Sequence, residues 1–119
     1  MAASALLGCG SSAPLVNGCD PGAAQDLTAQ AVVTIQFGGS AGFAYSPACA
    51  KVKTGTPVTF SGDFTLHPLV GGSATRAAAT PDPASPVAAS FVAGAPGTYP
   101  YYCANHFGSG MMGAIFVEP

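Results

Sequence analysis

Tyr101-Tyr102-Cys103-Ala104-Asn105-His106-Phe107-Gly108-Ser109-Gly110-Met111-Met112 sets a thiol, an imidazole and a thioether within one short stretch. The chain has one other histidine, His67, far upstream in Phe64-Thr65-Leu66-His67-Pro68-Leu69. Singly, these residues say little. A Cys in a strand is usually a small buried hydrophobe, a His in an apolar run usually belongs to core or surface, and a Met before a C-terminal strand usually packs. The combination is more specific. His106 lies three residues after Cys103 and five before Met111. Gly108 and Gly110 allow the connecting loop to turn sharply enough to bring both side chains back to one point. Such a cluster needs a rigid frame that also delivers His67, so the rest of the chain must supply one.

Outward from this stretch the chain reads as short strands. Thr98 to Cys103 and Gly113 to Glu118 flank it. In the first, Tyr99, Tyr101 and Cys103 share one face, and Pro100, Tyr102 and Ala104 the other. In the last, Ile115 and Val117 oppose Ala114 and Phe116. Upstream, Gln30 to Gly38 alternates Ala31, Val33, Ile35 and Phe37 with Val32, Thr34 and Gln36, the period of a half-buried strand. Phe43 to Ser46 and Cys49 to Lys53 follow as short extended pieces, with Lys51 and Lys53 on a wet face. Val58-Thr59-Phe60, then Phe64 to Val70 carrying His67, and Val87 to Val92 are further strands. Ser73 to Thr80 reads as an edge strand, and Pro81, Pro83 and Pro86 enforce a loop because proline has no ladder donor. The expectation is an all-β Greek-key sandwich of about seven to nine strands, mostly paired antiparallel.

Composition agrees with one such domain. The 119 residues suffice for a single core, and 16 Gly and 11 Pro punctuate strong apolar runs. Residues 1–26 are small and polar and read as a tether, leaving 27–119 as the folded domain. Only Lys51, Lys53 and Arg76 are cationic, and the net charge is −2, which excludes the clustered basic face that nucleic acid needs. No apolar run reaches the roughly 18–20 residues of a membrane span.

Two imidazoles, one thiolate and a distant thioether suit copper. Cu(II) favours imidazole, Cu(I) accepts thiolate and thioether, and His₂Cys with a weak axial Met is a blue-copper ligand set. Zinc competes less well, because a thioether is an unusual zinc ligand. The expected ligands are His67, Cys103, His106 and Met111, with Met112 the alternative to Met111. Asn105 and the backbone amides after Cys103 are candidates to hydrogen-bond its sulfur, with Thr65 and Ser61 behind them. If Cys103 binds metal, Cys9, Cys19 and Cys49 remain. A Cys19–Cys49 bridge would tie the N-terminal segment to the sheet; Cys9–Cys19 or no bridge are the alternatives. A disulfide would place the protein in an oxidising compartment. Leu6-Leu7-Gly8-Cys9 resembles the lipobox of bacterial lipoproteins, in which the Cys is lipidated, and the other reading is a free cysteine in a tail.

Pro96 to Gly113, containing Cys-x₂-His-x₄-Met, resembles the C-terminal motif of the cupredoxins, closest to plastocyanin-like members. With Val58-Thr59-Phe60 and His67 upstream, the resemblance covers roughly residues 30–119. It implies a copper-binding β-sandwich carrying single electrons through His67, Cys103, His106 and Met111. By the same analogy, electrons pass at the surface through His106, inside an apolar rim of Phe107, Pro68, Leu66 and Met112 that docks redox partners briefly. Two positions depart from the family. Leu66 stands where many members have Asn, and Tyr102 has no acidic docking patch beside it and reads as packing. The expectation is therefore a monomeric, periplasmic or extracytoplasmic electron carrier, anchored to the membrane if Cys9 is lipidated. A copper carrier or storage protein, or the electron-entry subunit of a copper enzyme, are the alternatives. With both histidines committed, no imidazole is left for a second copper centre or as a general base.

Overall fold

The computed structural model describes residues 15–71 and 88–119, without the side chains of 88–91. The expected edge strand at 73–80, the proline loop after it, Arg76 and Cys9 lie outside the described residues.

Among the described residues, nine strands form two sheets. They are β1 (Gln25–Asp26), β2 (Val33–Phe37), β3 (Tyr45–Ser46), β4 (Cys49–Lys53), β5 (Pro57–Ser61), β6 (Leu69–Gly71), β7 (Ala88–Val92), β8 (Gly97–Cys103) and β9 (Met112–Glu118). One sheet has the order β1-β4-β9-β8-β6 and the other β3-β2-β5-β7. The strand period is the expected one where one face is wet. In β2, Val33, Ile35 and Phe37 are buried while Thr34 and Gln36 are exposed. In β4, Ala50 and Val52 are buried and Lys53 is exposed. Inward-facing residues of both sheets make one core, in which Tyr101 meets Tyr45 edge-on at 4.7 Å and Phe60 at 4.9 Å between ring centroids. Each such pair contributes about 0.5–1.5 kcal/mol beyond its burial.

Three features differ from the sequence expectation. First, the pairing is mixed. β1 with β4, β2 with β5, and β4 with β9 run parallel; the other four pairs are antiparallel. From β3 to β8 the chain changes sheet at every connection, so neighbours within a sheet are not neighbours in sequence and need not reverse.

Second, Phe64 to Leu66 is a turn, and the strand begins only at Leu69. The Asp63 carboxylate accepts from the backbone N–H of Thr65 at 2.8 Å and of Leu66 at 3.4 Å, and the His67 N–H donates to the Asp63 carbonyl at 3.0 Å. A side chain that satisfies the next backbone donors competes with the sheet ladder, and here it wins.

Third, residues 15–26, grouped by composition with the tether, lie on the five-stranded sheet. Cys19 is disulfide-bonded to Cys49. The Asn17 side-chain amide donates to the carbonyls of Tyr101 at 2.9 Å and Gly113 at 3.2 Å, and β1 extends the sheet beside β4. The segment covers the outer face of β9, where Ala114 and Phe116 pack with Cys19, Val16 and Ala24, while Ile115 and Val117 enter the sandwich. Strand β9 is thus buried on both faces, as sheet-centre strands are.

Candidate metal centre

Strands β8 and β9 deliver one half of the site and the loop before β6 the other. Cys103 is the last residue of β8, on the same face as Tyr101, and it is the free cysteine among the described residues. The chain then makes a 3-10 turn over Phe107–Ser109, which ends at Gly110 in the left-handed region (φ 89°). Of the two glycines expected to permit the reversal, Gly110 supplies it. The N–H groups of Ser109 and Met111 both donate to the His106 carbonyl, at 2.9 and 3.1 Å, and the Cys103 N–H donates to the Met111 carbonyl at 2.9 Å. This knot of short bonds fixes the backbone between Cys103 and Met111.

His67 is brought to the knot by bonds on both sides of it. The Asn105 side-chain amide donates to the Leu66 carbonyl at 3.0 Å, and the Ala104 N–H donates to the Pro68 carbonyl at 2.9 Å. Leu69 then pairs in register with Cys103. Asn105, expected near the Cys103 sulfur, thus spends its side-chain amide on joining the two loops.

Three donor atoms converge. Cys103 Sγ lies 3.7 Å from His67 Nδ1 and 3.6 Å from His106 Nδ1, and the two Nδ1 atoms are 3.2 Å apart. The point equidistant from all three is about 2.0 Å from each, the length of a metal–imidazole bond. Among the described residues this is the group of side chains placed to hold a metal ion. Cys103 is fully buried and His67 is 6% exposed. Burial lowers the pKa of His67; the neighbouring His106 adds to this and Asp63 opposes it. The shift favours the neutral ring, the form that has a lone pair to give a metal. Met111 is fully buried in the same core cluster as Cys103. Met112 begins β9 on the other side, its methyl 3.7 Å from the position a Cβ would take on Gly18.

Large apolar side chains next to the two histidines in sequence are exposed. Leu66 is 60% exposed and Phe107 47%. Phe107 meets Tyr102 at 5.0 Å between centroids, so Tyr102 has the packing contact its surroundings suggested. Sequence reasoning missed one residue. Phe43, 58% exposed, stacks face-on over His106 with ring centroids 4.0 Å apart and planes 17° apart. Its only signal was an aromatic beside a glycine-rich break, Gly38-Gly39-Ser40-Ala41-Gly42.

No protein-family model matches the chain, and no curated protein sequence does. Solved structures do. The oxidised plastocyanin of Dryopteris crassirhizoma matches with a TM-score of 0.55 and 25% identity over 71% of this chain and 99% of its own. Reduced auracyanin from Roseiflexus castenholzii matches at 0.52 and 24% over 76% and 98%. The copper-containing nitrite reductase of Thermus scotoductus matches at 0.55 and 24%, over 73% of this chain but 22% of its own. The chain has the cupredoxin fold.

Proposed function

We propose that this cupredoxin-like protein binds one copper ion at a type 1 site and carries single electrons between redox partners. The observation that carries the reading is the triangle of one cysteine sulfur and two imidazole nitrogens, held by bonds between two loops of a sandwich. His67, Cys103 and His106, with Met111 buried in the same core, would hold the ion. Copper supplies a one-electron couple, with imidazole suiting Cu(II) and the sulfur donors Cu(I). The protein's part is to hold these unlike donors in one arrangement for both states. The backbone knot from Cys103 to Met111 and the bonds to Leu66 and Pro68 do that.

His106 is the half-buried ligand, and the apolar surface beside it (Leu66, Phe107, Phe43) is where a partner would dock. The small area and low charge suit a brief encounter. The Cys19–Cys49 disulfide favours an oxidising compartment, such as the periplasm, and no described helix is long and apolar enough to cross a membrane. Lipidation of Cys9 would tether the carrier there.

Adding Cu(II) to the metal-free protein is expected to turn it intensely blue, through thiolate-to-copper charge transfer, and Cys103→Ser to abolish the band while the fold persists. A colourless Cu(II) complex of the unaltered protein would overturn the assignment.

A further inference from the structure

The loop between β2 and β3 provides none of the candidate ligands, yet it touches both imidazoles. Gly38, at φ 69°, lies so close to His67 that a Cβ there would be 3.1 Å from ring atom Cδ2 and 3.3 Å from Nε2. Five residues on, Phe43 lies flat on His106 and also meets His67 at 5.9 Å with planes 60° apart. The three donors are not equally secured. Cys103 and His67 are buried, whereas His106 is half-buried. Its backbone is pinned by the bonds to its carbonyl, but a pinned backbone leaves side-chain rotation free. Phe43 lies against the face through which the ring would swing.

We propose that Phe43 is a positioning residue that holds the His106 imidazole with Nδ1 turned toward Cys103 and His67 before any metal arrives. The inference rests on the metal-site reading above. Gly38 sets the seat of one ring and Phe43 the tilt of the other, so a single loop keeps the two Nδ1 atoms at metal-binding separation. An aromatic exposed to water on its outer side contributes little to folding. Its stack with His106 instead removes ring freedom that metal binding would otherwise have to remove.

The test uses the whole chain with Phe43→Ala, Phe43→Leu and Phe43→Trp, and two readouts that need no electron transfer. The first is the histidine ring resonances of the metal-free protein. The second is Co(II) affinity, followed by the thiolate-to-cobalt charge-transfer band. In the unaltered protein, His106 should give one sharp, ring-current-shifted set of signals. Phe43→Ala and Phe43→Leu should lose that shift and broaden His106 alone. Both should weaken Co(II) binding about three- to tenfold, the worth of one aromatic stack. Phe43→Trp should restore both readouts.

Unchanged Co(II) affinity in Phe43→Ala would overturn the proposal. So would full retention by Phe43→Leu, which would mean bulk rather than stacking. If Phe43→Ala does not fold, Phe43→Leu against Phe43→Trp decides alone. A chain that takes cobalt without a thiolate band would refute the metal-site reading instead, and the resonances of the metal-free protein would still judge the stack.

Discussion

Met111 and Met112 stand side by side in sequence, and the backbone separates their fates. Met111 closes the loop through its carbonyl bond from Cys103 and is fully buried beside it, while Met112 turns out beside Gly18. Replacing Met111 by Leu removes a soft donor but little volume. The expected result is a protein that keeps its blue colour with a reduction potential shifted upward. Met112→Leu should leave the potential where it was, and cyclic voltammetry of the two variants checks both. An unmoved potential in Met111→Leu would deny it a role as ligand.

The candidate ligands were legible because their residue types are scarce in this chain and three fall within one turn of a loop. Phe43 was not legible. Its contact with His106 depends on how one inter-strand loop folds back over another, and no spacing in the sequence encodes that meeting. The role expected of Asn105 failed for a related reason. A side-chain amide next to a sulfur has a backbone carbonyl, that of Leu66, as a competing acceptor, and only the fold shows which is nearer.

At the scale of elements, strand alternation was read correctly wherever one face is wet, as in β2 and β4. It misled at β9. Ala114 to Val117 has no polar residue, which is the mark of a strand buried on both sides, but the covering segment, residues 15–26, looks like loose tether by composition. Besides its β1–β4 pairing and its packing on Phe116, a disulfide and one asparagine hold it. A covalent link across 30 residues contributes about 2–4 kcal/mol. The double variant Cys19→Ser, Cys49→Ser should therefore lose about that much stability in denaturant unfolding while the copper-loaded form stays blue. Asn17→Ala should cost less, about 1–2 kcal/mol, by leaving two strand carbonyls short of a donor. Loss of the blue band in the disulfide variant would show that the segment shapes the metal site as well as the sheet. The β6 strand illustrates the opposite error. The run from Phe64 to Val70 is apolar enough for a strand, yet Asp63 just before it diverts the first residues into a turn and leaves His67 at the strand's mouth, where it can reach Cys103.

For the molecule as a whole, charge is the decisive quantity. Three basic and five acidic side chains in 119 residues leave a net charge of −2, and the docking face proposed above uses the exposed apolar side chains of Leu66, Phe107 and Phe43. Electrostatic steering raises association rates when a charged patch faces its complement, and salt then suppresses it within a Debye length of about 10 Å at 0.1 M. A carrier whose docking face is apolar gains little from such steering and loses little to salt. The rate of electron exchange between reduced and oxidised copies should accordingly change by no more than about threefold between low and high ionic strength. Exchange broadening of the NMR lines in mixtures of the two forms measures it. The direction matters as much as the size: two chains of like sign repel weakly, so the small change should be an increase with salt. A steep fall would mean that opposite charges meet in the encounter. The apolar rim would then not be the face on which copies of this protein come together.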